Sequence, residues 1–109
     1  MKKKHLVLVL TEPTDGNEEA FNDYYENVHL DEVIASAGWQ SAQRYKLVGQ
    51  AGQSAPLPYL AVYEAEGEDA DDVLAQLNDS RGQRQQSKTL NKRTGRIWVY
   101  EDMGPRHVE

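Results

Sequence analysis

The chain has no cysteine, which excludes disulfides, thiolate nucleophiles, zinc ribbons and iron–sulfur clusters and agrees with a reducing compartment. Aromatic residues are scarce at 8%, within 39% hydrophobic residues overall. So lean a complement in 109 residues supports one domain, 1–109, with one core, and makes a second copy of the chain the expected source of further apolar burial. Basic charge is also short: 12 Lys and Arg against 18 Asp and Glu give a formal net charge of −6. Phosphate backbones and anionic membranes want a basic surface, so neither nucleic acid nor a membrane is expected as a partner. No apolar run approaches a bilayer span. Met1-Lys2-Lys3-Lys4 has the charge of a signal-peptide start, but Leu6-Val7-Leu8-Val9-Leu10 is too short and stops at Thr11-Glu12-Pro13, so a cytoplasmic protein is expected. There is no phosphate-cradling glycine loop, and Ser36, Ser41, Ser54, Ser80 and Ser87 lack an elbow motif. His29, Asp31 and Glu32 match no metal-ligand spacing, so neither metal nor cofactor is expected.

What is present alternates strands with helices. His5 to Leu10 is apolar throughout, as in a strand covered on both faces, and ends at Pro13-Thr14-Asp15-Gly16. Asp15 and Glu18 have capping-box spacing ahead of a first helix that runs to Gly38. Two strand-like runs follow, Trp39 to Val48 and Tyr59 to Ala65, with a polar connection between them. Glu68, Asp69, Asp71 and Asp72 crowd the start of a second helix whose Ala70, Val73, Leu74 and Leu77 keep helical spacing, with Gly82 as its stop. After a polar stretch, Arg96-Ile97-Trp98-Val99-Tyr100 forms the last strand, and the tail from Glu101 frays. Strand–helix–strand, twice over, predicts an α+β domain, a ferredoxin-like βαββαβ with a four-stranded antiparallel sheet and both helices on one face. The other face then needs covering.

The most telling stretch is Phe21 to Glu32. Phe21, Tyr24, Tyr25 and Val28 share one helical face, whereas Leu30, Val33, Ile34 and Ala37 fall nearly opposite at about 100° per residue. One straight helix cannot bury both stripes. A kink, or a second helix opening after His29 with Asp31 as its cap, is expected, and a local break of this kind marks a candidate site. His29 would then sit at a helix carboxyl end, where the dipole raises an imidazole pKa, with Asp31 as a charge partner. As a general acid or base it would move a proton on an aromatic or enolisable substrate; the competing reading is a helix-ending histidine bonded to carbonyls.

Tyr24-Tyr25, His29-Leu30, Gly38-Trp39 and Arg44-Tyr45 together resemble the EthD-like branch of the dimeric α/β-barrel superfamily, over most of the chain. The family pattern carries His-x-Pro after its aromatic-Tyr pair, and Asp31 stands here in place of that proline. The resemblance implies subunits paired sheet to sheet as a dimeric α/β barrel, a ligand cavity between sheet and helices, and cofactor-free cyclase, isomerase, monooxygenase or lyase chemistry; many members have no known activity. Around such a cavity the catalytic candidates are His29, Tyr25 and His5. Tyr25 lies one turn before His29 as an oxyanion donor, and His5 shares its strand face with Val7 and Val9. Trp39, Tyr45, Tyr59, Tyr63 and Trp98 are aromatic walls for a flat substrate, and Arg44 is the candidate to hold a carboxylate. Each has a plainer alternative: core or interface for the aromatics, a strand-end position for His5, a surface ion pair for Arg44. The stretch with Arg81, Arg84, Lys88, Lys92, Arg93 and Arg96 would be either a lid over an anionic ligand or a solvated balance to the acidic second helix.

These readings lead to a cofactor-independent proton-transfer enzyme acting on a small aromatic or polyketide-like molecule. The alternative is a homodimer that binds a small hydrophobic ligand without turnover. A ferredoxin-like RNA-binding module fits the strand order, but the third strand lacks the stacking signature and the charge has the wrong sign.

Overall fold

The computed structural model describes all 109 residues. Its order is β1 (Lys3–Thr11), α1 (Glu18–Tyr24), a π-helical turn (Tyr25–His29), α2 (Leu30–Ala37), β2 (Ser41–Lys46), β3 (Tyr59–Gly67), α3 (Ala70–Asp79), a 3-10 turn (Arg81–Gln83) and β4 (Arg96–Glu101). The strands form one antiparallel sheet in the order β2-β3-β1-β4, a ferredoxin-like βαββαβ arrangement.

The apolar phase break is resolved without breaking the helix. Tyr24, Tyr25, His29 and Leu30 all keep right-handed helical backbone angles, and the Leu30 N–H reaches the Tyr25 carbonyl five residues back instead of four. This single wide turn absorbs one extra residue, so Leu30 falls beneath Tyr25 and the buried series Phe21, Tyr25, Leu30, Val33 stays on one stripe. The regular spacing is interrupted where the phase break predicts, but the expected second helix start is corrected: no new amino terminus opens after His29, and Asp31 caps nothing. The expected Asp15 cap is corrected too, since the helix starts after Asn17, which makes no side-chain cap bond. At the far end Gly38 adopts φ +76°, the left-handed angle that lets the chain leave the helix.

Strand alternation then divides the sheet. On β1, His5, Val7, Val9 and Thr11 face the helices; on β3, Tyr59, Ala61, Tyr63 and Ala65 do. With Phe21, Tyr25, Leu30, Val33, Trp39 and Val73 they make the core. Helix α3 lies so close to the end of β3 that a Cβ on Gly67 would meet Val73 at 2.8 Å, and Asp69 caps its start by accepting the Asp72 N–H at 2.9 Å. The opposite face carries Leu6, Leu8, Tyr45, Val62, Trp98 and Tyr100, linked by the pairings Leu6↔Tyr100, Leu8↔Trp98 and Leu8↔Val62. Expected to be covered on both faces, β1 is covered by the helices on one only, because Leu6 on the other is exposed. No helix is long and apolar enough to cross a membrane.

Candidate functional site

A cavity of about 240 Å³ opens between the sheet, the π turn and the connection from α3 to β4. Val9, Val33, Leu77, Leu90 and Ile97 give it apolar walls, while Thr11, Tyr25, His29 and Tyr63 supply hydroxyls and an imidazole. The wide turn explains the convergence. By placing five residues where four would normally complete the turn, it brings both His29 and Leu30 under Tyr25: the His29 ring packs edge-on at 4.7 Å from the Tyr25 ring centre, while Leu30 fills the core.

The protonation state of His29 follows from its partners. The Tyr24 hydroxyl lies 3.0 Å from His29 Nδ1 and donates to the Gln85 carbonyl oxygen at 2.9 Å. A carbonyl can only accept, so the single phenolic proton is committed there, and the proton at the histidine contact belongs to Nδ1. Nε2 is left as the unprotonated nitrogen, and no protein atom bonds it. Burial and, secondarily, the nearby Arg84 charge lower the His29 pKa to about 4, so at neutral pH the ring is neutral with a free lone pair. This overturns the expectation of a dipole-raised, Asp31-paired imidazolium. The helix does not end at His29, and the only two ion pairs are the Met1 amino group with Glu68 and Lys3 with Glu101.

The phenols are tuned the other way. Burial pushes Tyr25 up to about 12, and burial together with the adjoining Tyr25 holds Tyr63 well above the ordinary phenol value. Both remain protonated across the physiological range and serve as hydrogen-bond donors, never as bases. Tyr24, raised mainly by burial, positions His29.

The structure therefore brings Tyr25, His29 and Tyr63 together and leaves the other candidates outside the cavity lining. His5 is buried among the core residues with Nδ1 2.9 Å from the Lys3 carbonyl oxygen, so it is neither in this cavity nor a frayed strand end. Trp39 lies before β2 begins, packs on Tyr63 and donates to Gln76 Oε1 at 2.8 Å, tying the end of α2 to α3. Arg44 lies under the first helix: Nη2 donates to Asn22 Oδ1 at 2.8 Å and the guanidinium sits 4.9 Å from the Tyr25 ring centre. Tyr59 donates to Glu18 and accepts from Asn22. Tyr45 and Trp98 stand on the open sheet face.

What takes the place of Arg44 is Arg84, on the connection between α3 and β4. Its guanidinium is buried and lines the cavity, with Nη1 donating to Ser36 Oγ and Ser80 Oγ, both at 2.8 Å, and Nη2 to the Leu77 carbonyl at 2.9 Å. Its sequence signal was only membership of a basic stretch, which says nothing of burial. That stretch is anchored across the cavity mouth: the Gln85 N–H donates to Glu32, Thr14 N–H to the Thr89 carbonyl, Asn91 N–H to the Glu12 carbonyl, and Pro13 bridges Leu90. No protein-family model matches the chain, and comparison with curated proteins and with solved structures returned no match.

Proposed function

We propose that this protein is a cofactor-independent enzyme of the cyclase, isomerase or lyase type, which moves a proton on a small aromatic or polyketide-like substrate held between sheet and helices. The single observation that carries the reading is His29: a neutral imidazole whose tautomer is fixed by Tyr24 and whose Nε2 has no protein partner. In the mechanism Nε2 accepts a proton from an acidic C–H or O–H of the substrate, and the Tyr25 and Tyr63 hydroxyls donate to the oxygen on which negative charge develops. At about 240 Å³ the cavity is smaller than the ~300–1,000 Å³ that drug-sized ligands occupy, which favours a single-ring substrate or a folded short chain. The resemblance of the Tyr24-Tyr25 and His29-Leu30 region to EthD-like proteins supports the same reading.

The protein acts as a homodimer in this proposal, paired through the open sheet face, where Leu6 is 39%, Trp98 41% and Tyr100 53% exposed in the isolated chain. A second reading, a ligand-binding dimer without turnover, draws on the same His29: an imidazole with a pKa of about 4 is a weak base. The test is His29→Ala in a screen of enolisable single-ring and polyketide-like compounds. The enzyme reading expects turnover reduced about 10²–10⁴-fold with the fold and a dimer mass in sedimentation preserved. Ligand binding without turnover in the wild type selects the second reading.

A further inference from the structure

The surface as a whole is acidic, yet no Asp or Glu lines the cavity, while Arg81, Arg84, Lys92 and Arg96 do. Arg81, Lys92 and Arg96 are exposed at its rim and Arg84 is buried in its wall. None of the four takes part in an ion pair. Exposed cations without partners are ordinary; a buried one is not, because a guanidinium removed from water calls for a counter-charge.

The donors of Arg84 sharpen the point. A guanidinium has five N–H groups. Two on Nη1 go to the serine hydroxyls and one on Nη2 to Leu77, and all three acceptors are neutral. The Nε–H and the second Nη2–H have no protein acceptor. Nor is Nε sealed off, since the only walled-in side-chain polar atom without a partner is Thr94 Oγ1. The one carboxylate whose charge acts on Arg84 is Glu32, which accepts the Gln85 N–H, forms no ion pair with Arg84 and is not part of the cavity wall. Ser36, Ser80 and Leu77 thus hold a preorganised guanidinium with free donors at an apolar cavity.

We infer that the ligand of this cavity is an anion, a single-ring or short-chain carboxylate, with its carboxylate on the free Nε–H and Nη2–H of Arg84 and its apolar body against Val9, Val33 and Leu77. This rests on the proposed function for the place of the ligand and adds its charge. Bidentate carboxylate binding uses the planar fork that lysine lacks. Rim cations draw the anion in, and that attraction weakens with salt.

The test uses the wild-type protein and two probes of one shape, benzoate and its neutral counterpart benzamide, followed by NMR at the Arg84 Nε–H and the His29 ring. Benzoate binding at least tenfold tighter than benzamide, moving both groups and weakening with added salt, is the expected result. In Arg84→Lys that preference should fall severalfold, because the fork is lost although the charge stays. Equal binding of the two probes, no binding of either, or shifts confined to the Lys2–Lys4 terminus would overturn the inference, and none of these needs Arg84→Lys to fold. The outcomes separate from those of the proposed function. Benzoate bound at Arg84 by a protein without turnover leaves the anion site standing and removes the enzyme, whereas turnover of neutral substrates alone does the reverse.

Discussion

The two helical layers occupy equivalent places in the strand–helix–strand repeat, and they are built by opposite rules. Helix α3 is regular: Asp69 caps it, acidic residues fill its first turn, and Val73 and Leu77 sit one turn apart against the sheet. Every local preference agrees with the fold, and α3 brings only Leu77 and Asn78 to the cavity. The α1–α2 run has no side-chain cap at either start and a wide turn in its middle, yet it supplies Tyr25 and His29 and the Tyr24 that orients the histidine. The wide turn is what sets Tyr25 and His29 side by side at the cavity wall. The core alone would be served as well by a regular spacing of four from Tyr25 to its lower neighbour, with three residues between them.

Removing one residue breaks the contrast. Deleting the exposed Asn27 puts Phe21, Tyr25, Leu30 and Val33 at spacings of four, four and three, so the same side chains share a regular α-helical stripe. The fold should survive with a stability change under about 2 kcal/mol, while His29, now four residues from Tyr24 instead of five, loses its hydrogen bond. Its NMR-titrated pKa should move from about 4 back toward the ordinary histidine value, and any activity should fall as it does for His29→Ala. Unfolding of the deletion variant would show that packing, and not the site, demands the wide turn.

The legibility of the sequence followed the same division. Strand and helix order, the acidic start of α3 and the Gly38 exit could all be read, because alternation, capping and glycine angles act over a few residues. The phase break at His29 was visible as well. Its resolution was not, since an apolar pattern shows that one residue is surplus but not whether the chain kinks, restarts or widens a turn. Strand parity grouped Tyr59 and Tyr63 on one face and Trp98 with Tyr100, but which face meets the helices could not be read from the sequence; the structure puts Tyr63 on the helix side and Tyr45 and Trp98 on the other. That Arg84 and not Arg44 lines the cavity has a long-range reason: Asn22 and three rings already occupy Arg44, whereas Ser36, Ser80 and Leu77 draw Arg84 into the wall from 48, four and seven residues away.

A smaller effect sharpens the contrast from the bulged side alone. The folded-state pKa of His29, about 4, lies below its ordinary 6.5, so as pH falls below 6.5 the unfolded chain takes up the proton first. The His29 contribution to stability is therefore full above pH 6.5, declines between 6.5 and 4, and is flat below. Each pKa unit is about 1.4 kcal/mol, and after allowance for partial exposure of the ring the loss over that window is about 2 kcal/mol. Other groups titrate there too, so the quantity to measure is the difference in unfolding free energy between wild type and His29→Gln at pH 7 and at pH 4.5. Wild type should lose about 2 kcal/mol relative to the variant. The charged and phenolic groups near the ring are Arg84, Glu32, Tyr24 and Tyr25, and both phenols stay protonated throughout the window. Repeating the comparison with Glu32→Gln in both backgrounds isolates the ring from that neighbouring carboxylate. A flat difference would mean that the ring is hydrated and titrates as an ordinary histidine, and the neutral base at the cavity wall would be lost with it.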